Sequence, residues 1–170
     1  KRVETDKLNQ YCEEVHFAPR LSPLKSLSLQ YPYIVSSRQS KKILDNLLKD
    51  NAPILFEGLH TCYYLDHPKL KHRQKWVRMH NIEWEYYQAL AQSEKNPLKK
   101  AYFKIESLLL KRFEAKLKHA QVIFAISPND QNHLQKSFKN VYYLPAFHSN
   151  EKIKIQTGQG NYALYHGNLG

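Results

Sequence analysis

Short apolar runs alternate with longer amphipathic stretches along this chain. The runs predict six short strands, at residues 14–17, 53–56, 75–79, 122–126, 141–144 and 162–165. Most of them are unbroken apolar segments, which are typical of strands that helices bury on both faces. Pro19 follows the first strand and Pro145 the fifth, and each marks an end. The distances between the later strands leave room for helical connections.

Amphipathic periodicity predicts three helices, at residues 37–50, 83–93 and 97–120. Pro97 suits the first turn of the third helix. A fourth helix is expected after Ser127, which is a typical N-cap residue, with Pro128 in the first helical position. Asp130 completes a pattern similar to a capping box. We expect this last segment to cap a helix rather than to perform chemistry.

The alternation of strands and helices predicts an α/β fold with a doubly wound, Rossmann-like parallel sheet. In such sheets the functional residues lie just beyond the carboxyl ends of the strands. Residues 57–60, 80–83 and 127–130 are therefore the places to look for chemistry. The Ser, Leu and Pro content of residues 21–32 indicates a surface excursion, and the polar residues 146–160 indicate a linker or loop.

The composition narrows the function only partly. The chain has 170 residues, of which 42% are hydrophobic, and this is enough for one compact domain. It carries 26 Lys and Arg against 15 Asp and Glu, so its formal net charge is +11. Such an excess favours an anionic partner: nucleic acid, a membrane surface or phosphorylated small molecules. The apolar runs and the 12% aromatic content exclude a disordered chain.

Cysteine content and the N-terminal residues bear on the cellular compartment. Cys12 and Cys62 cannot make a disulfide scaffold, which favours a reducing, cytoplasmic environment. No apolar run approaches the ~20 residues that cross a bilayer, and residues 1–10 lack the apolar region of a signal peptide. We therefore expect a cytoplasmic protein, or one peripheral on the inner face of the membrane. Because the chain begins at Lys1 without Met, we expect it to be a piece of a longer protein.

Polar residues follow the strand predicted at 75–79. His80 can hydrogen-bond a sugar hydroxyl or a phosphate, and Asn81 can orient a substrate, with Arg78 two residues upstream of His80. The alternative is a plain turn, because Asn tolerates a left-handed backbone and Glu83 favours the first turn of a helix. Spacing alone leaves both interpretations open.

A second polar pair follows the strand predicted at 53–56. Glu57 and His60 offer a carboxylate and an imidazole, which can act as a base and the group that orients it. The alternative, which is at least as compatible with the spacing, is that Glu57 caps the next helix. These two interpretations also stay open.

Common ligand-binding motifs do not occur in the sequence. Cys62, His67 and His72 are five residues apart each, which matches no usual spacing of metal ligands. No segment fits G-x-x-x-x-G-K-[ST], G-x-G-x-x-G or G-x-S-x-G. We therefore expect no metal, no standard phosphate loop and no serine-hydrolase site.

Cations crowd two segments of the chain, the helix predicted at 97–120 and the loop before the strand at 75–79. They are Lys99, Lys100, Lys104, Lys111, Arg112, Lys116 and Lys118 in the helix, and Lys69, Lys71, His72, Arg73 and Lys75 around the loop. A solvated helix face explains the first group, because lysine is a good helix former. Contact with an anionic membrane is the alternative. Nucleic acid is disfavoured, since no standard signature of a nucleic-acid-binding fold occurs.

Four motifs follow one another along the chain. They are W-V-R-M-H-N-I-E-W-E-Y-Y at residues 76–87, F-A-I-S-P-N-D-Q-N-H-L at 124–134, V-Y-Y-L-P at 141–145 and Y-A-L-Y-H-G-N-L at 162–169. In this order they resemble the N-terminal half of family-4 (group 1) glycosyltransferases with the GT-B fold. Members commonly show R-x-H-N-x-E, a long helix, a strand ending in Ser-x-x-Asp, and a strand ending in Pro. The order of the motifs is more specific than any one of them.

The resemblance implies transfer of a sugar from a nucleotide-sugar to a glycan or lipid-linked acceptor, with retention at the anomeric carbon. It implies no metal cofactor, because GT-B enzymes neutralise the leaving diphosphate with cationic side chains and helix N-termini. Residues 1–145 would form an acceptor-side Rossmann-like domain that lacks its first strand and helix. Residues 146–160 would be a linker, and 161–170 would begin a second, nucleotide-sugar-binding domain. By itself this segment would be inactive.

The resemblance also assigns roles to residues at the end of the strand predicted at 75–79 and just after it. His80 would be the catalytic residue that polarises an oxygen of the donor or acceptor. Arg78, Asn81 and Glu83 would contact substrate or shape the loop around it. These assignments follow from the H-N that comes after the corresponding strand in the family.

A strand end in glycogen-synthase-like relatives reads H-D-W-H-T-A, which resembles residues 57–62 here. His60 and Thr61 match that pattern and would line the cleft, together with Gly58. Glu57 replaces the first His of the pattern, so the resemblance implies only that it lines the cleft. The alternative to a glycosyltransferase is a non-catalytic basic α/β module that binds nucleic acid, which salt-dependent binding would reveal.

Overall fold

Four parallel strands form the centre of the structure, a computed structural model that describes residues 6–147. In their order across the sheet they are β1 (Ile54–Glu57), β2 (Lys75–Met79), β3 (Val122–Ala125) and β4 (Val141–Tyr143). Helices lie between the strands along the chain, which confirms the predicted Rossmann-like α/β fold with a parallel sheet. The strand predicted at 162–165 and the second-domain start at 161–170 lie outside the described residues, as does most of the linker at 146–160.

The described residues form six α-helices and four 3-10 helices. The α-helices are α1 (Pro23–Ser26), α2 (Tyr33–Ser36), α3 (Lys41–Leu47), α4 (Glu83–Ser93), α5 (Pro97–Glu114) and α6 (Pro128–Gln135). The 3-10 helices are Asp6–Gln10, Leu59–Tyr64, Pro68–Leu70 and Ala115–His119. The connection from β2 to β3 carries the longest of these elements, α4 and α5, which pack against each other.

Side-chain caps explain where α5 and α6 begin. Asn96 caps α5 by accepting hydrogen bonds from the backbone N–H groups of Leu98 and Lys99. Ser127 caps α6 by accepting a 3.1 Å hydrogen bond from the backbone N–H of Asp130, as its sequence pattern predicts. The helix predicted at 97–120 ends earlier than expected, because the chain tightens into a 3-10 helix after Glu114.

The prediction of a strand at residues 14–17 is wrong. This segment has no regular secondary structure, and Glu14, His16 and Phe17 are all exposed. Glu14 lies 2.7 Å from the His16 ring nitrogen, so the two polar side chains pair locally. A half-buried strand needs one apolar face, and Val15 alone does not supply one.

The two faces of the sheet differ in burial. Alternate strand residues enter the hydrophobic core: Ile54, Phe56, Val77, Met79, Ile123, Ala125 and Val141. On the opposite face Leu55, Trp76 and Tyr142 are 52%, 36% and 55% exposed. Right-handed crossovers between successive neighbouring strands all lie on one side of a sheet, so the described connections cover one face. The sequence predicts strands that are buried on both faces. Within residues 6–147, one face is buried and the other is open.

A buried carboxylate ties α5 to the segment before the sheet. Glu106, in the middle of α5, is 2% exposed. Its two oxygens accept hydrogen bonds from the backbone N–H groups of Tyr33 and Ile34, at 2.9 and 2.8 Å. These amides belong to the first turn of α2, where no helical partner is available to them. Glu106 therefore fixes α2 against α5.

We expect Glu106→Gln to destabilise the fold by about 1–2 kcal/mol, because the amide can accept from only one of the two N–H groups and turns a donor toward the other. Glu106→Ala should cost about 2–3 kcal/mol, since both N–H groups lose their partner. Urea unfolding followed by circular dichroism measures both effects. Glu13→Gln, at an exposed position, is the matched control and should leave the midpoint unchanged. A midpoint for Glu106→Gln equal to that of the control would contradict the tie.

Candidate functional site

The register of β1 and β2 brings the predicted polar residues together. Parallel strands end at the same edge of a sheet, and the pairing places Glu57 directly beside Arg78. His80 is two residues beyond Arg78, so it lies on the same side of the sheet. Glu57 Oε1 accepts hydrogen bonds from Arg78 Nη1 and His80 Nε2, both at 2.8 Å. One carboxylate oxygen therefore holds a guanidinium and an imidazole.

The environment of Glu57 favours its charged form. Partial burial raises the pKa of this carboxyl, but the hydrogen bonds from His80 and Arg78 and their charges outweigh the effect of burial. The net result is a pKa below the usual value of about 4.5. Glu57 is therefore ionised at neutral pH, and an anionic partner for His80 is always in place there.

Gly58 turns the chain from β1 into the next 3-10 helix. Its φ of 88° lies in a region that residues with a Cβ rarely adopt. A Cβ at this position would lie 2.5 Å from Cε1 of His60, so the glycine also leaves room for the His60 ring. The Gly58 carbonyl accepts hydrogen bonds from the backbone N–H and the hydroxyl of Thr61, at 3.0 and 2.9 Å.

The same turn delivers His60 to Glu83. His60 Nδ1 lies 2.8 Å from Glu83 Oε1, and the His60 backbone N–H donates to that oxygen at 3.2 Å. Glu83 is the first residue of α4, where the positive end of the helix dipole stabilises a carboxylate. The Glu83 side chain is 8% exposed, whereas that of Glu57 is 48% exposed, so the Glu83 carboxylate is far more enclosed.

The site thus contains two pairs of carboxylate and imidazole. The rings of His60 and His80 face each other edge to face, with centroids 6.1 Å apart. Each neutral ring donates one N–H to its carboxylate, which leaves the other nitrogen with a lone pair. Those nitrogens, Nε2 of His60 and Nδ1 of His80, can accept a proton or a hydrogen bond from a hydroxyl group.

The remaining predicted site residues have simpler surroundings. Asn81 is exposed and has no side-chain hydrogen bond to any described residue. The Thr61 hydroxyl is engaged by the Gly58 carbonyl and is therefore part of the turn. Glu57 does not cap the following 3-10 helix: Gly58 occupies the N-cap position, without a side-chain cap. Neither interpretation of Glu57 describes the structure: Glu57 pairs with His80, and its predicted partner His60 pairs with Glu83 instead.

Two arginines join the site that no sequence pattern indicates. Arg20 and Arg38 line a cavity of about 450 Å³ together with Glu57 and Thr61. Burial, and then the charge of nearby Arg20, lower the pKa of the Arg38 guanidinium. Two neighbouring guanidinium groups in the cavity that Glu57 also lines can bind a phosphate or carboxylate group. They are found only in the structure, because they come from irregular chain far from any motif.

The side chains of residues 6–147 also bear on metal binding and on membrane crossing. No group of three or more His, Cys, Asp or Glu side chains among them could hold a metal ion. None of the helices in this part of the chain combines the length and the apolar character that crossing a bilayer requires. Both cysteines are free thiols, Cys12 exposed and Cys62 buried.

We expect Gly58→Ala to destabilise the protein by about 1–3 kcal/mol, because alanine is strained at this φ and its methyl group displaces the His60 ring. Chemical denaturation gives the free energy, and the NMR shifts of the His60 ring report the displacement. Asn81→Ala, at an exposed neighbouring loop position, is the control and should change stability by less than about 0.5 kcal/mol. Unchanged His60 shifts in Gly58→Ala would contradict the packing described for this turn.

The hydrogen bonds also predict two different histidine tautomers. In the neutral form of each ring, His60 should carry its proton on Nδ1 and His80 on Nε2, and each N–H should face its carboxylate. Glu57→Gln should mix the tautomers of His80 and leave His60 unaffected. Long-range proton–nitrogen NMR correlations distinguish the two forms. Glu85→Gln, whose carboxylate lies near His133 instead, is the control, and an Nδ1–H form of His80 in the wild type would refute the arrangement.

Comparison with known proteins yields one distant relationship. No protein-family model matches the chain, and no solved structure matches it. A curated protein of Klebsiella pneumoniae, described as "Uncharacterized 44.6 kDa protein in cps region", is 27% identical over 167 residues. The alignment covers 95% of this chain and 42% of that protein, so the chain spans less than half of its relative's length. The chain is thus distantly related to a protein from a cps (capsule polysaccharide) region.

Proposed function

We propose that this chain forms the acceptor side of the cleft of a retaining glycosyltransferase. The donor would be a nucleotide-sugar, and the acceptor a glycan or a lipid-linked sugar. The observation that carries the proposal is the meeting of Glu57, Arg78 and His80 at the carboxyl edge of the sheet. The order of the motifs that resemble family-4 glycosyltransferases supports it, as does the relationship to a protein from a cps region.

His80 is the proposed catalytic residue. Glu57 holds its Nε2, so Nδ1 can accept a hydrogen bond from a hydroxyl of the substrate. Because Glu57 is ionised, it also stabilises His80 when the ring takes up a proton. The ring is 43% exposed, which leaves it accessible to a sugar on the open side. His80 would orient and polarise an oxygen as the glycosidic bond forms.

The other site residues would position the substrate. His60 is held by the enclosed carboxylate of Glu83, so its Nε2 can bind a second hydroxyl at a fixed place. Asn81 is free to contact the sugar, and Gly58 and Thr61 shape the turn that carries His60. Arg20 and Arg38 would bind an anionic group of the acceptor. We expect no metal in the reaction, because cationic side chains would neutralise the departing diphosphate.

The test is His80→Ala in the polypeptide that carries this chain, assayed for transfer from a panel of nucleotide-sugars to lipid-linked acceptors. We expect kcat to fall on the order of a hundredfold, the typical contribution of a group that transfers or polarises a proton. His72→Ala, at an exposed loop position, is the matched control and should keep full activity. Glu57→Gln should reduce kcat by about tenfold, since the ring keeps its place only partly.

Two results would overturn the proposal. One is the absence of transfer or of donor hydrolysis with every nucleotide-sugar of the panel, in a folded wild-type protein. The other is unchanged kcat/KM in His80→Ala, which would remove His80 from the reaction. Circular dichroism of each variant shows that a loss of activity is not a loss of fold.

A further inference from the structure

The outer face of α5 exposes aliphatic side chains that the core does not use. Leu98, Ile105 and Leu108 are 81%, 55% and 61% exposed. Their spacing of seven and three residues places them on one stripe of the helix. Among the described residues, none in 97–109 belongs to the hydrophobic core cluster or packs against it, whereas Leu110 and Phe113 do. The first half of α5 therefore leans on α4 and presents an apolar stripe to solvent.

Lysines run beside this stripe. Lys100, Lys104 and Lys111 line a groove of about 540 Å³ between α4 and α5. Lys111 Nζ lies 4.6 Å from the centre of the Trp84 ring, on the α4 wall of the groove. The groove also contains the hydroxyl of Ser107, which donates to the Trp84 carbonyl at 2.8 Å. A row of three cations is thus held next to three aliphatic side chains.

No carboxylate neutralises this surface from α5 itself. The helix has two acidic residues, and both point elsewhere. Glu106 is buried and accepts from two backbone amides of α2. Glu114 lies near the end of the helix beside His133, with 3.6 Å between Glu114 Oε1 and His133 Nε2. The exposed residues of α5 therefore include apolar side chains and cations but no carboxylate.

We propose that this face of α5 docks the protein on an anionic lipid bilayer. Leu98, Ile105 and Leu108 enter the boundary between headgroups and acyl chains, where aliphatic side chains leave water. The long lysine side chains reach lipid phosphates from the groove. Tyr102, 38% exposed on the same helix, suits the interface because its ring is apolar and its hydroxyl polar.

The chemistry of the surface favours lipid over nucleic acid. A nucleic-acid surface combines cations with aromatic rings on which bases stack. Here the most exposed apolar side chains beside the cations are the aliphatic Leu98, Ile105 and Leu108, with Tyr102 less exposed than any of them, and Trp84 already has Lys111 over its ring. The position of the groove also suits a membrane enzyme, because Trp84 in its wall directly follows Glu83 of the candidate site. The surface would hold that edge of the sheet near the bilayer.

The experiment is co-sedimentation of the chain with vesicles of phosphatidylcholine, with or without phosphatidylglycerol. Wild type should bind the anionic vesicles and release them at high salt. The triple variant Lys100→Glu, Lys104→Glu, Lys111→Glu should bind at least about a hundredfold more weakly, since each cation contributes roughly a fivefold factor. The variant Leu98→Glu, Ile105→Glu, Leu108→Glu should also lose binding.

A charge-matched control separates this surface from the general positive charge. Lys41, Lys42 and Lys71 are exposed on other elements, and their change to Glu removes the same charge. This control should keep more than half of the binding, and an equal loss would overturn the proposal. Circular dichroism of each variant shows that a loss of vesicle binding is not a loss of fold.

Two further outcomes would replace the lipid by another partner. Light scattering shows whether the wild type is a dimer. If the variant Leu98→Glu, Ile105→Glu, Leu108→Glu abolishes that dimer and leaves vesicle binding intact, this face of α5 packs against a second copy. If the lysine variant loses binding to duplex DNA while vesicle binding stays, the partner is nucleic acid. Neither readout needs a nucleotide-sugar, so vesicle binding can fail while sugar transfer is present, or the reverse.

Discussion

The candidate site depends on the parallel pairing of β1 with β2 in one register. That register sets Glu57 beside Arg78, and the alternation of side chains then puts His80 within reach of the same carboxylate. A shift by one residue would turn Glu57 or Arg78 toward the core and separate the group. The apolar residues that directly precede them prevent this shift, because Phe56 and Val77 occupy the buried face of the same two strands.

A second constraint acts at the end of β1. The chain must turn sharply there to carry His60 to the N-terminus of α4, and only a residue without a Cβ permits both the turn and the ring beside it. Glu83 receives His60 at the positive end of the helix, in an enclosed position. The two histidines are thus fixed by different means, one by strand pairing and the other by a glycine turn and a helix start.

Features set by local sequence could be predicted well. The bounds of β2 and α4 agree with the sequence pattern, and Ser127 caps α6 as expected. Strand ends in a parallel sheet lie together, so the nearness of Glu57 to His80 could also be anticipated. Contacts between segments that are distant in the sequence could not be predicted. Arg38 and Glu106 belong to the packing of irregular chain against the sheet and α5, and neither position carries a periodic or motif signal.

The two tryptophans of the chain stand at the two surfaces discussed above. Trp76 lies on the open face of the sheet, on the strand that leads to His80, and Trp84 forms a wall of the lysine groove under Lys111. Fluorescence emission of an indole depends on its local polarity and on nearby charges. Replacing either tryptophan by phenylalanine leaves a single indole, at one of the two surfaces. The protein therefore contains a built-in optical reporter for each place where a ligand or a membrane would approach.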